Sequence, residues 1–501
     1  MKKRLGKWLK PEFIFLFFIL IFSAFLRLYR LDQLLGFWYD QGRDALVIWD
    51  LLHRGKFFLI GPVTGIEGIF LGPFFYYFLA PFYLLGKGSP VFVTACLGWL
   101  SVGTIFLIYF LTRKIYGPKT ALLAAFIYGF SYNFVQFSRW LANPNPLPFF
   151  TLLAILCLYK FIESHNSKFI ILGSFLIGLC LQLEAAAATF FLPTMVVFLF
   201  WQRKKVKSFW VLILSLLAFF LTLLPQIYFN FRHDGILLTA FEKFLVKDKS
   251  FGSEPFISGL GWLNMLKLRL LLYYDVFFGR LFPGVRSFGL TALALFSATF
   301  FITRKKIFSL GGKFLVLWLV VPLIGYCFYR GNNGYIWDYY FAGIFPAFII
   351  LFSASLVFFF EKRLMGRILF GSVLMMFLAS NFNYLRGFYK AGIGITLGSE
   401  LKGIDWIYND AGSGDFNVDV YVPPQIFYSY TYLFRWYGKE KYKKEPQIKL
   451  VKNLYTLSEP DPEHPQFLDA WLKRQDGIGK IVKGYSWGDI TIQKRERIKY
   501  E

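Results

Sequence analysis

Two carboxylates lie four residues apart shortly after the first apolar stretch of the chain, in the segment WYDQGRD at residues 38–44. On a helix this spacing places Asp40 and Asp44 on one face, one turn apart, where a carboxylate can take a proton from a substrate hydroxyl. The structural alternative is a helix start capped by Asp40, with Arg43 and Asp44 as solvated surface. Trp38 and Tyr39 are typical of a membrane interface, and this location favours a functional role for the acidic pair.

Other polar residues gather in short segments between apolar runs. Glu67 lies in a stretch rich in glycine and proline, which either approaches a ligand closely or only breaks a would-be span. Two Asn-Pro steps, at Asn143 and Asn145, follow Arg139. This segment either stops and restarts a helix, with Arg139 reaching to headgroups, or holds a polar ligand, with Arg139 on a lipid phosphate.

Four more candidates follow later in the chain. Glu184 lies at the end of an apolar run, where an acid usually lines a water-accessible cavity. The turn at residues 330–340 is dense in hydrogen-bonding groups, of which Arg330, Tyr339 and Tyr340 are the binding candidates, although part of it resembles an ordinary aromatic belt.

The composition indicates a membrane protein. Of 501 residues, 56% are hydrophobic and 17% charged, whereas soluble domains carry roughly a quarter charged residues. The net charge of +25 fits basic loops at an anionic cytoplasmic leaflet better than nucleic-acid binding. The four cysteines lie in apolar runs without metal-ligand spacing, so we predict neither disulfides nor a zinc site.

A membrane span needs about 20 apolar residues. Twelve segments qualify, at roughly 12–29, 69–86, 90–112, 119–137, 146–163, 168–184, 186–201, 208–229, 287–303, 313–329, 339–360 and 365–385. If 69–86 crosses, four basic connectors fall on the outer side, against the positive-inside rule. We therefore predict eleven spans, an uncleaved first span with its N-terminal side inside, and 69–86 remaining outside as an interfacial or re-entrant segment.

This topology predicts two domains. Residues 1–385 form an all-α transmembrane domain with large outer loops at 30–88 and 230–286, the second of which contains an amphipathic helix near 267–280. Residues 386–501 form a small extracytoplasmic α/β domain. In this tail we expect strands at 418–422, 447–451 and 480–482, and helices at 400–408 and 465–473. Its lysines at 439–444 are either a contact to acceptor or headgroups, or a solvated face.

No nucleotide-binding loop and no serine-nucleophile motif is present in the sequence. An enzyme working at the outer face without nucleotide machinery needs an activated substrate that is already outside, and a lipid-linked substrate meets this condition. The rival function is a transporter or lipid flippase, for which charges near mid-membrane and paired broken helices are expected.

The layout of residues 12–385 resembles the polyprenyl-phosphate-sugar-dependent glycosyltransferases of the C-type membrane fold, which include protein O-mannosyltransferases and aminoarabinose transferases. The resemblance rests on the acidic motif at 38–44, the Gly/Pro-bounded hydrophobic hairpin at 72–77, the segment 139–148 and the late-span segment 339–346. It implies that the first-loop acid, here Asp40, is the catalytic base. Many relatives have Asp-Glu where this chain has Asp40-Gln41, so a second carboxylate would come from Asp44 or Glu67.

Several relatives also place a lysine before the proline of the hairpin, where Leu71-Gly72 stand here, so phosphate binding passes to Arg139, Arg330 or an arginine of loop 230–286. The implied reaction is an inverting transfer at the outer face of a prokaryotic plasma membrane. The expected partners are a polyprenyl-phosphate sugar, a lipid, glycan or protein acceptor, and membrane lipids. No dedicated metal site is expected, although a divalent cation bridging Asp40 and the phosphate is compatible with the chemistry.

Overall fold

The computed structural model of the chain describes residues 10–243, 262–329, 334–361, 364–390 and 394–500. The helices are α1 Pro11–Leu28, α2 Leu31–Leu34, α3 Tyr39–Arg54, α4 Phe74–Leu85, α5 Pro90–Tyr116, α6 Pro118–Phe130, α7 Tyr132–Ser138, α8 Leu147–Ser164, α9 Lys168–Leu183, α10 Ala185–Ala188, α11 Phe191–Trp201, α12 Phe209–Arg232, α13 Ile236–Glu242, α14 Trp262–Tyr274, α15 Arg286–Ile307, α16 Leu310–Cys327, α17 Phe345–Phe360, α18 Leu364–Lys390, α19 Leu397–Ala411, α20 Tyr428–Leu433 and α21 Pro465–Ile478. The strands are β1 Phe416–Tyr421, β2 Asn453–Ser458, β3 Gly479–Trp487 and β4 Ile490–Arg497.

The prediction of an all-α membrane domain is confirmed. Within the described ranges, seven helices are long and apolar enough to cross a membrane, namely α1, α5, α8, α12, α15, α16 and α18. The other predicted spans coincide with shorter or interrupted helices: α6 with α7, α9, α10 with α11, and α17. Helix α4 has 12 residues and extends about 18 Å, short of a hydrocarbon core of about 30 Å. This length agrees with the prediction that 69–86 does not cross.

Helix α17 forms the centre of the membrane domain. Its residues from Phe345 to Val357 are all buried, as expected for a helix that is apolar on every side. Phenylalanines surround it, and Phe348 packs against rings on both α15 and the turn that follows α14. The predicted helix near 267–280 exists, but Val276, Phe277 and Phe278 are buried against this core rather than lying on lipid.

Two buried arginines satisfy the C-terminal ends of neighbouring helices. Arg27 donates to the carbonyls of Tyr128 and Gly129 at the end of α6, 3.3 and 2.9 Å away. Arg139 donates to four carbonyls at the end of α1, those of Leu26, Arg27, Tyr29 and Arg30, at 2.9 to 3.4 Å. A helix leaves its last carbonyls without intrahelical donors, and a cation is favoured there by the helix dipole. The two guanidinium groups therefore fix where α1 and α6 stop.

The tail forms a four-stranded sheet in the order β1-β2-β4-β3, with β1 and β2 parallel and the other pairs antiparallel. Two of its predicted strands and both of its predicted helices are present. The strand predicted at 447–451 is wrong: the Asn417 side chain donates to the carbonyls of Gln447 and Lys449, so this run is held by an amide side chain rather than by a backbone ladder. The strand that follows, β2, takes the ladder position instead.

The join between the domains lies later than predicted. Helix α18 continues to Lys390 and the tail begins with α19 at Leu397, so the boundary expected at 385 falls inside a helix. The tail packs back onto the segment that joins α1 to α3, where the Leu397 amide donates to the Leu35 carbonyl at 2.8 Å. In the same region α20 lies directly on α3 at Gly42, where a β-carbon would collide with the backbone of Ser429. The sheet domain is therefore attached to the helix that carries the acidic motif.

Replacing Arg139 with alanine should destabilise the protein by about 3 kcal/mol, because several buried carbonyls lose a charged donor at once. Thermal unfolding of the purified protein in detergent measures the effect. Arg386→Ala, which removes an exposed arginine from α18, is the matched control and should unfold like the wild type. Equal unfolding temperatures for both variants would show that Arg139 does not hold the end of α1.

Candidate active site

The acidic motif forms the first turn of α3. Trp38 is the residue before the helix, and its backbone N–H donates to the side-chain carbonyl of Gln41 at 3.0 Å. This bond is one half of a capping box, in which the third helical residue reaches back to the backbone N–H of the cap; the other half is missing, since an indole side chain cannot accept. Asp40 is therefore not needed as the cap, and Gln41, the position where relatives carry Glu, has a structural task here.

Arg43 links the two carboxylates. Its Nη1 lies 2.7 Å from Asp40 Oδ1, and its Nε and Nη2 donate to Asp44 Oδ1 at 2.9 and 2.8 Å. The Tyr76 hydroxyl, on α4, donates to the same oxygen of Asp44 at 3.1 Å. Asp44 is buried, whereas 46% of the Asp40 side chain is exposed. The four groups form a chain from the protein interior to a surface carboxylate.

Burial sets the chemistry of Asp44. Loss of solvent raises the pKa of this carboxyl to about 6, and the bonds from Arg43 and Tyr76 oppose the rise without cancelling it. A buried carboxyl with a pKa raised in this way is typical of functional sites. Its partner Arg43 remains a cation, so the chain presents Asp40 at the surface with a fixed guanidinium beside it.

Asn143 and Glu184 are brought together at a second polar cluster, between α9 and α10. The Asn143 side-chain N–H donates to the Leu183 carbonyl at 2.6 Å and to Glu184 Oε2 at 3.4 Å. The other oxygen of Glu184 accepts from the Ala186 amide at 3.3 Å. Glu184 is 9% exposed, and its partners across the described residues are neutral N–H donors rather than cations.

An aromatic turn adjoins this cluster. The Tyr326 hydroxyl donates to the carbonyls of Tyr340 and Ala186, so it joins the turn at 338–341 to α10. The ring of Tyr339 lies 5.5 Å from that of Trp140. Three predicted binding residues, Glu184, Tyr339 and Tyr340, are thus close together although 155 positions separate the first two along the chain.

Other predicted residues lie elsewhere. Glu67 is 72% exposed and 3.8 Å from Lys243, and in the described ranges this is the ion pair it makes. The donors of Arg139 bond the carbonyls that end α1. Asn145 donates to the carbonyls of Phe137 and Trp140 within its own turn. Arg330 lies outside the described residues.

Two arginines of the second outer loop differ in their availability. Arg269 is buried and donates to the carbonyls of Tyr329 and Gly334. Arg280 is 40% exposed and forms an ion pair with Asp338. The side chains of Arg280 and Asp338 line a depression that also includes Asn133 and Tyr339. Of these two arginines, Arg280 is the one that an incoming anion can reach.

Among the described residues, no group of three or more His, Cys, Asp or Glu side chains is arranged to hold a metal ion. Beside Asp40 the nearest cation is the Arg43 guanidinium. A divalent ion at this position stays a prediction.

Tyr76 is a site residue that the sequence did not single out. It lies in the apolar run FFYYF, where a tyrosine cannot be distinguished from the aromatic residues of a membrane interface. The glycine before this run has a packing role: a β-carbon at Gly72 would collide with the side chain of Gln182. The side-chain carbonyl of Gln182 also accepts from the Phe74 amide at 3.0 Å, and this bond anchors the start of α4.

The sequence of residues 71–229 matches the family of dolichyl-phosphate-mannose-protein mannosyltransferases. This range begins after α3 and includes Tyr76, Asn143 and Glu184. A search of curated proteins gives no match.

The whole chain shares its fold with solved membrane glycosyltransferases. The apo crystal structure of ArnT from Cupriavidus metallidurans superposes with a TM-score of 0.61 at 10% identity, covering 95% of this chain and 97% of ArnT. ArnT bound to undecaprenyl phosphate gives 0.58 at 12% identity, covering 96% and 97%. The apo oligosaccharyltransferase of Archaeoglobus fulgidus gives 0.51 at 15% identity, covering 87% of this chain and 64% of that one.

The family match and the shared fold confirm the resemblance to C-type membrane glycosyltransferases that use lipid-phosphate-linked sugars. The chain is therefore a multi-pass membrane protein that shares the fold of these glycosyltransferases, with a small C-terminal sheet domain.

Replacing Asp44 with asparagine should stabilise the folded protein at neutral pH. An acid whose pKa is higher in the folded state binds more protons there, so stability falls as the pH rises from the unfolded pKa near 4 to about 6. Asparagine cannot ionise and escapes this loss, which is at most about 3 kcal/mol.

Unfolding temperatures measured from pH 4 to 8 test this prediction. The difference between Asp44→Asn and the wild type should be smallest at pH 4 and should grow up to about pH 6.5. If the unfolding temperature of the wild type instead rose relative to that of Asp44→Asn with increasing pH, the predicted direction of the effect would be wrong.

Proposed function

We propose that the protein transfers a sugar from a polyprenyl-phosphate donor to an acceptor hydroxyl at the outer face of the membrane, with inversion and with Asp40 as the base. The observation that carries this proposal is the chain from Tyr76 through Asp44 and Arg43 to Asp40, which holds one half-exposed carboxylate in a fixed orientation. A base needs such a fixed orientation to lie within hydrogen-bond reach of its proton.

The proposed reaction balances without a further reactant. The acceptor oxygen attacks the anomeric carbon, the bond from that carbon to the phosphate oxygen breaks, and Asp40 takes the hydroxyl proton. Polyprenyl phosphate leaves with the bonding electrons. Because phosphate is a good leaving group, positioning and charge stabilisation supply most of the catalysis.

For the donor phosphate, Arg280 and Arg330 are the proposed ligands. Arginine suits this task because its planar fork meets two phosphate oxygens and stays charged. Arg280 pairs with Asp338, and an incoming phosphate would exchange with this carboxylate. The Nη1 and Nη2 groups of Arg139 already bond the end of α1 and its side chain is buried, so this residue is the weaker choice. ArnT has been crystallised with undecaprenyl phosphate, which supports a lipid phosphate as the carrier.

For the sugar, the Glu184 cluster is the proposed subsite. Its carboxylate is bonded by neutral N–H donors and can accept from sugar hydroxyls. Asn143 positions the carboxylate, while the rings of Tyr339 and Trp140 offer apolar faces next to it. Arg43 would bind the acceptor or donor beside Asp40, and Tyr340 would hold the turn. Asp44 would act by holding Arg43 in place. Glu67, exposed on the loop surface, is the alternative second carboxylate.

Asp40→Asn should lower the rate of sugar transfer by at least about a hundredfold, because it removes the proton acceptor. The test uses the purified protein in liposomes with a panel of labelled polyprenyl-phosphate sugars, and it follows the label leaving the lipid. Asp50→Asn is the matched control, since it changes an acid on the same helix that pairs with Arg54 and Lys56.

Equal turnover by Asp40→Asn and the wild type would remove Asp40 as the base. Label that crosses the bilayer without leaving its lipid would instead establish the transporter or flippase.

Glu184→Gln should raise the KM for the donor about tenfold or more while changing kcat less, since a hydrogen bond to a charged group contributes about 1.5–3 kcal/mol. Glu163→Gln is the control, because Glu163 is an exposed acid that pairs with Lys114. A variant with unchanged KM but a lowered unfolding temperature would show that Glu184 only holds the start of α10.

A further inference from the structure

The contact between the tail and the acidic helix is a backbone contact. Gly42, between the residues of the acidic motif, faces Ser429 at the start of α20, and only a glycine leaves the required space. Nearby, the Tyr432 ring packs on Phe37 and Trp49, and its hydroxyl donates to the Gly88 carbonyl at 2.6 Å. A small displacement of α20 would therefore also displace α3.

Two buried glutamates lie directly behind this contact. Glu400, on α19, is 1% exposed, and Glu459, after β2, is 7% exposed. The Tyr430 hydroxyl donates to Glu459 Oε1 at 2.8 Å, and the Ser429 side chain hydrogen-bonds Glu400. Glu400 Oε2 has no hydrogen-bond partner among the described residues.

Neutral groups surround the pair. From α20 it meets Ser429 and Tyr430, and Glu459 is close enough for its charge to act on Glu400. None of the ion pairs within the described ranges includes Glu400 or Glu459. The next acid along the chain, Asp461, is occupied by the Tyr421 hydroxyl and the His464 amide. Two ionised carboxylates without a cation are too costly to bury together.

The titration of the pair agrees with this geometry. Burial raises the pKa of Glu459 to about 7, and burial together with the charge of Glu459 raises the pKa of Glu400 well above its ordinary value. The state in which α20 covers the pair therefore binds more protons than a state in which α20 has moved away and both groups meet water. By linkage, the covered state is favoured at low pH and weakens as the pH rises.

We propose that Glu400 is a positioning residue for the acidic helix: as a neutral acid beside Glu459 it allows α20 to lie on Gly42, and ionisation of the pair loosens α20 and with it α3. The effect of ionisation on the position of α20 follows from contacts within the tail. Its effect on turnover rests on the proposed function. The tail domain is thus a proton-dependent support of the candidate active site.

The experiment measures hydrogen exchange of α3 and α20 in the full-length protein in liposomes from pH 6 to 9, corrected for the intrinsic exchange rate at each pH. In the wild type, protection should fall by about tenfold or more over this range, since each released proton contributes up to tenfold per pH unit. Glu400→Gln keeps the shape without the charge and should change by less than half as much. Glu440→Gln, an exposed acid of the same domain, should follow the wild type.

Glu459→Gln neutralises the other partner and tests the same proton if Glu400→Gln fails to fold. Sugar transfer measured on the same samples should decline at alkaline pH in the wild type and less so in Glu400→Gln. Parallel protection curves for the wild type and both glutamine variants would overturn the proposal. Absence of transfer from every donor, with exchange behaving as expected, would reject the proposed function and leave the positioning role standing.

Discussion

The structure depends on how the first span ends. In an apolar surrounding the last carbonyls of a helix have no water to bond, and an unsatisfied group there costs several kcal/mol. Arg139 supplies donors to four of these carbonyls, and the rings of Phe388 and Tyr389 flank its guanidinium at 5.3 and 5.7 Å. The chain that leaves this fixed end forms α2 and then α3, so the position of Asp40 is set relative to the membrane domain.

Five arginines of the membrane domain fall into two groups according to what they bind. In the membrane domain the buried cations Arg27, Arg139 and Arg269 bond backbone carbonyls, whereas Arg43 and Arg280 bond carboxylates and are more exposed. The first group supports the fold. The second group is the one that an anionic or hydroxyl-bearing substrate can reach, because exchanging a carboxylate for a substrate oxygen preserves the charge balance.

The tail domain adds a second support from the opposite side of α3. Its sheet does not contribute a residue to the acidic chain, yet α20 lies on the helix that carries this chain. Buried acids occur in both places: Asp44 within the chain and Glu459 behind the contact each have a raised pKa because they are buried. Such groups lower stability at neutral pH, and proteins accept this cost mainly where function requires it.

The sequence by itself determined the membrane class, the helical segments and the acidic motif, because composition, apolar run length and residue spacing are local properties that one chain displays directly. Only the tertiary structure decided which polar side chains are occupied. Arg139 and Arg280 look alike in sequence, but one bonds the end of a helix and the other pairs with Asp338 at an open depression. Tyr76, Ser429 and Glu400 gained their roles from partners 29 to 387 positions away. Such partners are chosen by packing, which no local pattern encodes.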